Sequence, residues 1–412
     1  MTIKENGDLK LSKKLHYAWI ILGCCFIIQA ATTGIYNNCV SLFTPQILKE
    51  FGFSNGAFSW TMTIRALVSS TSLILVNRVF SQKTYKKIYV ICATLCSLIF
   101  ISQIFYTKLY QWYIENALLG FFMGFILTVP LNLILQNWFK SKGGFALGTA
   151  MAASGLSGVL INPISSFMIK NYGWRSGIIL LGVISFVMIV PVVLLVLKWS
   201  PEENGMQAYY EAEENKPAKE TQKRSDSKSL IIKSIIIIAI IYCITQYTYS
   251  ISVFIDSLGF DVGFAALVTS AIMMGNLLGK IILGNLIDRY GAFKVMNVAT
   301  VGIAISFLIF SFLTNKATLV IAGFLYGTSM SLASLMPGVI AEECFVSNIR
   351  GEVMSQMTSI ATFIDAIFYL MISYSYDIFG SFQISFLFSV LLCVIVIMLS
   401  RKIEKEAKLL SD

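Results

Sequence analysis

Three ionisable residues stand where ionisable residues are costly. Arg65, Lys280 and Asp365 fall inside long apolar stretches of this 412-residue chain. A charge held in hydrocarbon is expensive, so such residues mark a binding site or an ion path unless they merely neutralise one another. The guanidinium of Arg65 could grip a carboxylate through its planar fork, and the ammonium of Lys280 could hold one as a point charge. Asp365 could pair with either cation while a site is empty, or serve as a permanent structural partner. Tyr36, Tyr242, Tyr247, Tyr249 and Tyr326, with Gln29, Asn37, Asn38 and Gln246, could offer polar groups to a cavity, although Tyr is also common at bilayer edges.

Other chemistries lack their residues. The chain has one histidine, His16, and eight cysteines without CxxC pairs or Cys/His clusters at metal-ligand spacing. No GxxxxGK[ST] loop is present, so direct use of ATP is not expected. A membrane-embedded enzyme would need clustered His, acid or Ser/His groups at one depth, and these are missing. Neither a cofactor nor a metal is expected.

The elements that must position the three charges are helices in lipid. The chain is 56% hydrophobic and only 13% charged, with mean hydropathy +0.75, against roughly a quarter charged in a soluble domain. Spanning segments need about 20 apolar residues each and must satisfy their backbone internally. Twelve such segments are read at 17–41, 56–77, 87–107, 111–136, 145–169, 177–198, 231–254, 263–286, 294–314, 317–341, 353–374 and 381–400. The outer connections hold only Lys49, Lys108, Lys170, Arg175 and Lys316, whereas the alternate connections and both tails are rich in Lys and Arg. The positive-inside rule then places both termini in the cytoplasm. Basic residues so dispersed over short loops do not form a nucleic-acid surface.

One hydrophilic stretch, within 199–230, divides six spans from six. The expected organisation is a cytoplasmic tail (1–16), a first six-helix half (17–198), a linker (199–230), a second half (231–400) and a tail (401–412). Glycines recur at helix-packing spacing: Gly120 and Gly124, Gly275 and Gly279, Gly323 and Gly327, and Gly148, Gly155 and Gly158. They could pack helices statically or let two halves rock. Pro130, Pro163 and Pro191 each free a carbonyl and permit a kink. Glu115 and Asn116 open the fourth span, where Glu115 is expected to face outer water.

The most specific string is Gly284-Asn-Leu-Ile-Asp288-Arg289-Tyr-Gly291-Ala-Phe-Lys294. It resembles the GxxxDRxGxx[RK] signature of the major facilitator superfamily. The matching turn after the second span, Asn77-Arg78-Val-Phe-Ser-Gln-Lys83, lacks the Asp and the Gly. A second set of strings is similar to the bacterial branch of monocarboxylate porters and oxalate:formate antiporters. These are Phe51-Gly52-Phe53-Ser54 with Ser59-Trp60, Asn137-Trp138-Phe139-Lys140, the small-residue span ending at Pro163, Gly173-Trp174-Arg175, and Ser200-Pro201-Glu202-Glu203-Asn204-Gly205.

The resemblance implies an all-helical membrane protein of two six-helix halves, rocking about a midplane site. It implies a bacterial inner-membrane secondary transporter for a small organic anion, by symport with a proton or exchange for a counter-anion, working as a monomer. Gly284, Asp288, Arg289, Gly291 and Lys294 would form a latch, with Gly148, Gly155 and Pro163 at a moving seam. In the resembled porters the eighth helix carries an Asp and, four residues on, a carboxylate-binding Arg; here those positions read Asn276 and Lys280. Where the oxalate-type antiporters carry a second cation on the eleventh helix, this chain has Asp365. Competing expectations are an exporter of amphiphilic compounds, a carrier of another small solute, and a sensor that binds without transporting.

Overall fold

A computed structural model describes residues 16–140, 142–210, 228–346 and 349–409. The tails 1–15 and 410–412, linker residues 211–227 and the side chains of Asn77 and Arg78 lie outside the described residues.

The chain is helical nearly throughout. In the first half, α1 (Tyr17–Gln29) runs into a π-helical stretch (Ala30–Cys39), and the short α2 (Thr44–Phe51) follows. Then come α3 (Asn55–Val79), α4 (Tyr85–Ser102), α5 (Leu109–Gly124), α6 (Thr128–Trp138), α7 (Gly143–Tyr172) and α8 (Trp174–Leu195). The second half repeats the plan. It contains α9 (Lys228–Thr245), a 3-10 turn (Gln246–Tyr249), α10 (Ile251–Ser257) and α11 (Val262–Tyr290). It ends with α12 (Ala292–Phe312), α13 (Lys316–Met330), α14 (Leu332–Cys344), α15 (Arg350–Phe379) and α16 (Gln383–Leu409).

Local signals set these boundaries. Ser54 caps α3 by accepting from the Ala57 N–H at 3.1 Å, and Asp261 caps α11 through the Phe264 N–H at 3.2 Å. Gly291 turns α11 into α12 at φ +87°, a conformation that disfavours other residues. Pro163 does not interrupt α7, which continues to Tyr172. Pro130 stands just after a true break, between α5 and α6.

Ten of the described helices or helix pairs are long and apolar enough to cross a membrane. Twelve were expected. The two outside that set are α3, some of whose side chains lie outside the described residues, and the fourth passage, which its break divides into the shorter α5 and α6.

Glycine spacing brings helices of one half close together. At Gly120 on α5 a Cβ would stand 2.5 Å from the Arg65 carbonyl oxygen of α3, and at Gly327 on α13 1.9 Å from the Ile272 carbonyl oxygen of α11. Only hydrogen fits there. The first contact seats the turn of α3 that carries Arg65.

The signature strings buckle the ends of the first half. Arg175 forks onto Glu50 (2.6 and 3.1 Å), Trp174 Nε1 donates to the same carboxylate at 2.5 Å, and Arg175 Nε reaches the Ile104 carbonyl at 3.1 Å. At the opposite end, Trp138 Nε1 donates to the Lys198 carbonyl at 3.0 Å and Asn137 to that of Trp199 at 3.2 Å.

Candidate functional site

The two halves meet along two helix pairs, α3 with α15 and α7 with α11. Bonds between the halves concentrate at the end away from the chain termini. Asp377 of α15 accepts from the N–H groups of Asn55 (3.0 Å) and Gly56 (2.7 Å), so a carboxylate of the second half caps the N-terminus of α3. Trp60 Nε1 donates to the Tyr374 hydroxyl at 3.2 Å and Thr63 to the Ala366 carbonyl at 3.1 Å. Lys49 pairs with Asp256 at 2.5 Å and Lys170 with Asp261 at 3.8 Å.

Along α7 and α11, which run antiparallel, contact continues through Asn162 with Thr269 (3.3 Å) and Gly155 and Gly158 against Met273. Among the described residues, the hydrogen bond between these helices nearest the termini is Lys280 Nζ to the Met151 carbonyl, at 3.5 Å. Nearer the termini, a Cβ at Gly143, Gly148 or Gly284 would meet nothing within 4 Å. The described bonds between the halves are thus gathered at the far end and thin out toward the termini.

A cavity of about 110 Å³ lies between α3 and α15, on the termini side of the far-end bonds. Its walls are Asn37, Met62, Thr63, Arg65, Ala66, Ser69, Met123, Leu127, Gln246, Tyr249, Asp365, Ala366 and Tyr369. Three irregular backbone stretches reach it: the π-helical turn at Asn37, the α5–α6 break at Leu127 and the 3-10 turn at Gln246 and Tyr249. Non-helical backbone at membrane depth is tolerated where it lines a cavity.

Arg65 is 5% exposed. Its Nη1 donates to the Tyr36 carbonyl at 2.8 Å, and its Nη2 approaches Met62 Sδ. No described ion pair occupies it. Asp365 lines the same cavity, with its Oδ1 buried and without a hydrogen-bond partner among the described residues. The tyrosines Tyr249 and Tyr369 stand edge to face at 5.6 Å.

The remaining expected residues fall elsewhere. Lys280 sits at the fork of α7 and α11, outside the cavity walls. Asn276 is buried one turn away on α11. The Tyr36 hydroxyl points to Ser97 (3.1 Å), Tyr247 to Ser385 and Ser389 (2.7 Å each), and Tyr326 to the Tyr247 N–H (3.2 Å). All three hydroxyls are therefore occupied away from the cavity, and only the Tyr36 carbonyl serves Arg65. Asp288 and Arg289 are exposed, bordering a shallow surface depression with Asn285. Gly155 lies on the α7–α11 seam, whereas Pro163 is exposed.

Glu115 corrects an expectation. It does not face outer water but is 1% exposed. Its carboxylate accepts from Gln103 Nε2 (2.9 Å) and Asn116 Nδ2 (2.6 Å), within electrostatic reach of Arg65. Tyr369 was not singled out in the sequence. Its signal was its place four residues, one helical turn, after Asp365.

The family model for the major facilitator superfamily matches residues 22–274 and 235–410. The chain belongs to that superfamily. It is thus a multi-pass membrane protein of a transporter family, not an enzyme. Monocarboxylate transporter 12-B of Danio rerio is 25% identical over 170 residues, 40% of this chain and 35% of that protein. Monocarboxylate transporter 11 of Homo sapiens is 22% identical over 169 residues. The alignments span about a third of the length of these relatives. The MFS-type transporter pynF of Aspergillus niger is 22% identical over 79% of this chain and 74% of its own. Among solved structures, nucleoside transporter NupG superposes with TM-score 0.71 at 14% identity, over 95% of this chain and all of that one. A bacterial homologue of the human lysosomal transporter Spinster, inward-facing and occupied, gives 0.69 at 12% identity over 96% and 98%. These likenesses establish the fold.

Proposed function

We propose that this chain is a secondary transporter of a small, monocarboxylate-like organic anion across a bacterial inner membrane, by symport or exchange. One observation carries the reading: a buried arginine faces a cavity between the two halves and holds no carboxylate. A guanidinium taken out of water costs several kcal/mol unless it gains a partner. Here the partner is the solute, and the Tyr36 carbonyl holds the fork in place meanwhile. Lys280, at the mouth of the splayed cleft, meets the anion before Arg65 does. The low-identity relation to monocarboxylate transporters supports the same substrate class.

The membrane arrangement completes the reading. α3 and the broken α5–α6 passage add to the ten apolar spans, giving twelve in two six-helix halves. Both termini face the cytoplasm, as the Lys and Arg placement indicates, and the state described is open inward. The two halves correspond to residues 17–198 and 231–400, joined by the 199–230 linker, and work as a monomer. Outward opening would part the Asp377 cap and the Lys49–Asp256 pair and close the termini end around the Asp288–Arg289 turn.

Counterflow in proteoliposomes tests this. Vesicles loaded with unlabelled lactate, formate or oxalate should take up the labelled anion, saturably and faster than protein-free vesicles. If none of these carboxylates moves, the anion reading fails.

A further inference from the structure

We infer that the carboxyl group of Asp365 is the proton-binding site of this transporter, so that a proton travels with the anion; the inference rests on the transport reading above. The argument begins with charge. Arg65 is the one Lys or Arg among the cavity walls. Behind it, both oxygens of Glu115 accept amide N–H bonds, at 2.9 and 2.6 Å, the pattern of an ionised carboxylate, which only accepts. Glu115 therefore lies within electrostatic reach of Arg65 without pairing with it, and Asp365 has no ion pair among the described residues.

Its geometry is that of a neutral acid. An ionised carboxylate sharing a small cavity with a guanidinium would close the pair, because an unpaired buried charge costs several kcal/mol. The pair is open: Arg65 donates to the Tyr36 carbonyl, and Asp365 Oδ1 has no partner among the described residues. The groups facing Asp365 are Tyr242, Cys243 and Tyr249 from the seventh passage, Tyr326 from α13, and Arg65 and Tyr369 at the cavity wall. None besides Arg65 is a cation.

The step balances. An O–H bond forms on Asp365 from a proton delivered by water at the open side, and the same proton returns to water at the other side. With the anion on Arg65 and the proton on Asp365, the loaded site carries the same net charge as the empty site with Asp365 ionised. Both can cross between states without dragging net charge through a low-dielectric core.

The experiment uses the full chain in proteoliposomes and labelled lactate, with protein-free vesicles subtracted. An inward proton gradient should raise the initial uptake of the wild-type protein several-fold, and lactate influx should alkalinise the medium around the vesicles. Asp365→Asn should erase the stimulation and the proton signal, and Asp365→Glu should restore both with a displaced pH optimum. Stimulation of D365N equal to wild type overturns the inference, as does wild-type exchange indifferent to the gradient; lactate exchange itself stands in both cases. A wild-type protein that moves no carboxylate under any gradient removes the transport reading instead. If D365N does not fold, D365E decides: a displaced pH optimum supports the assignment and an unmoved one overturns it.

Discussion

The two ends of the cleft between the halves are built on different terms. At the far end, bonds converge on backbone that cannot retreat. Asp377 holds two N–H groups at a helix N-terminus, Trp60 meets Tyr374, and a Cβ at Gly56 would stand 2.5 Å from the Tyr374 ring. At the termini end, the described hydrogen bonds between halves stop at the 3.5 Å approach of Lys280 to Met151, and the charged turn at Asp288 and Arg289 is exposed. Closure rests on partly buried charge–dipole contacts, and opening leaves charged groups in water, where their desolvation cost is relieved. On the transport reading proposed above, these two ends would open and close in turn.

Substitutions can break that comparison. The largest effect belongs to the packing within a half. G327A would force a Cβ against backbone and should cost about 3 kcal/mol or more, read as loss of monodisperse protein. G148A, at the open end with empty space around it, should leave thermal stability unchanged. Equal damage from the two would erase the distinction.

Next comes the far gate. D377A removes charge-assisted bonds worth about 1.5–3 kcal/mol. It should raise labelling of a cysteine placed at Ser69 by a membrane-impermeant thiol reagent added from the far side about tenfold or more. The native cysteines are all buried, so background is low. The exposed Lys49–Asp256 pair should matter less: K49A is expected to change the same labelling by no more than about fivefold, the range of a surface ion pair. Labelling in D377A no higher than in K49A would show that the cap is not the gate.

The smallest effect sharpens the comparison by lying within one half. Arg175 above all, with Trp174, holds the Glu50 carboxyl below its ordinary value of 4.5. A depressed acid stabilises the fold above its unfolded pKa and loses that contribution as pH falls through the folded one. E50Q should therefore cost up to about 1 kcal/mol at neutral pH, discounted for the exposure of the pair. Melting curves of E50Q and wild type should converge as the pH falls through the depressed Glu50 value, below 4.5.

Much of this arrangement was legible in the sequence. Charges stand out in hydrocarbon by type alone, so Arg65 and Asp365 could be picked before any helix was placed. Asn37, Gln246 and Tyr249 were also visible as polar candidates. Which tyrosines face the cavity was not legible in the sequence, for a geometric reason. The first passage winds as a π-helix over Ala30–Cys39, and the seventh tightens to a 3-10 turn at Gln246–Tyr249. Each change of winding rotates the face that follows. Asn37 and Tyr249 therefore enter the cavity, while the Tyr36 and Tyr247 hydroxyls leave it. Glu115 was misread because its depth follows from packing against Gln103, twelve residues earlier and on another helix. Asp377, near the end of a span, looked like loop; only the tertiary structure brings it onto α3.

Arg65 is the most direct test. In proteoliposomes of matched protein content, the account predicts that R65A lowers labelled lactate counterflow about a hundredfold or more, the scale of breaking a buried ion pair. R65K should keep a fraction of it, as a point charge without the fork. R65A vesicles exchanging lactate at the wild-type rate would contradict the account at its centre.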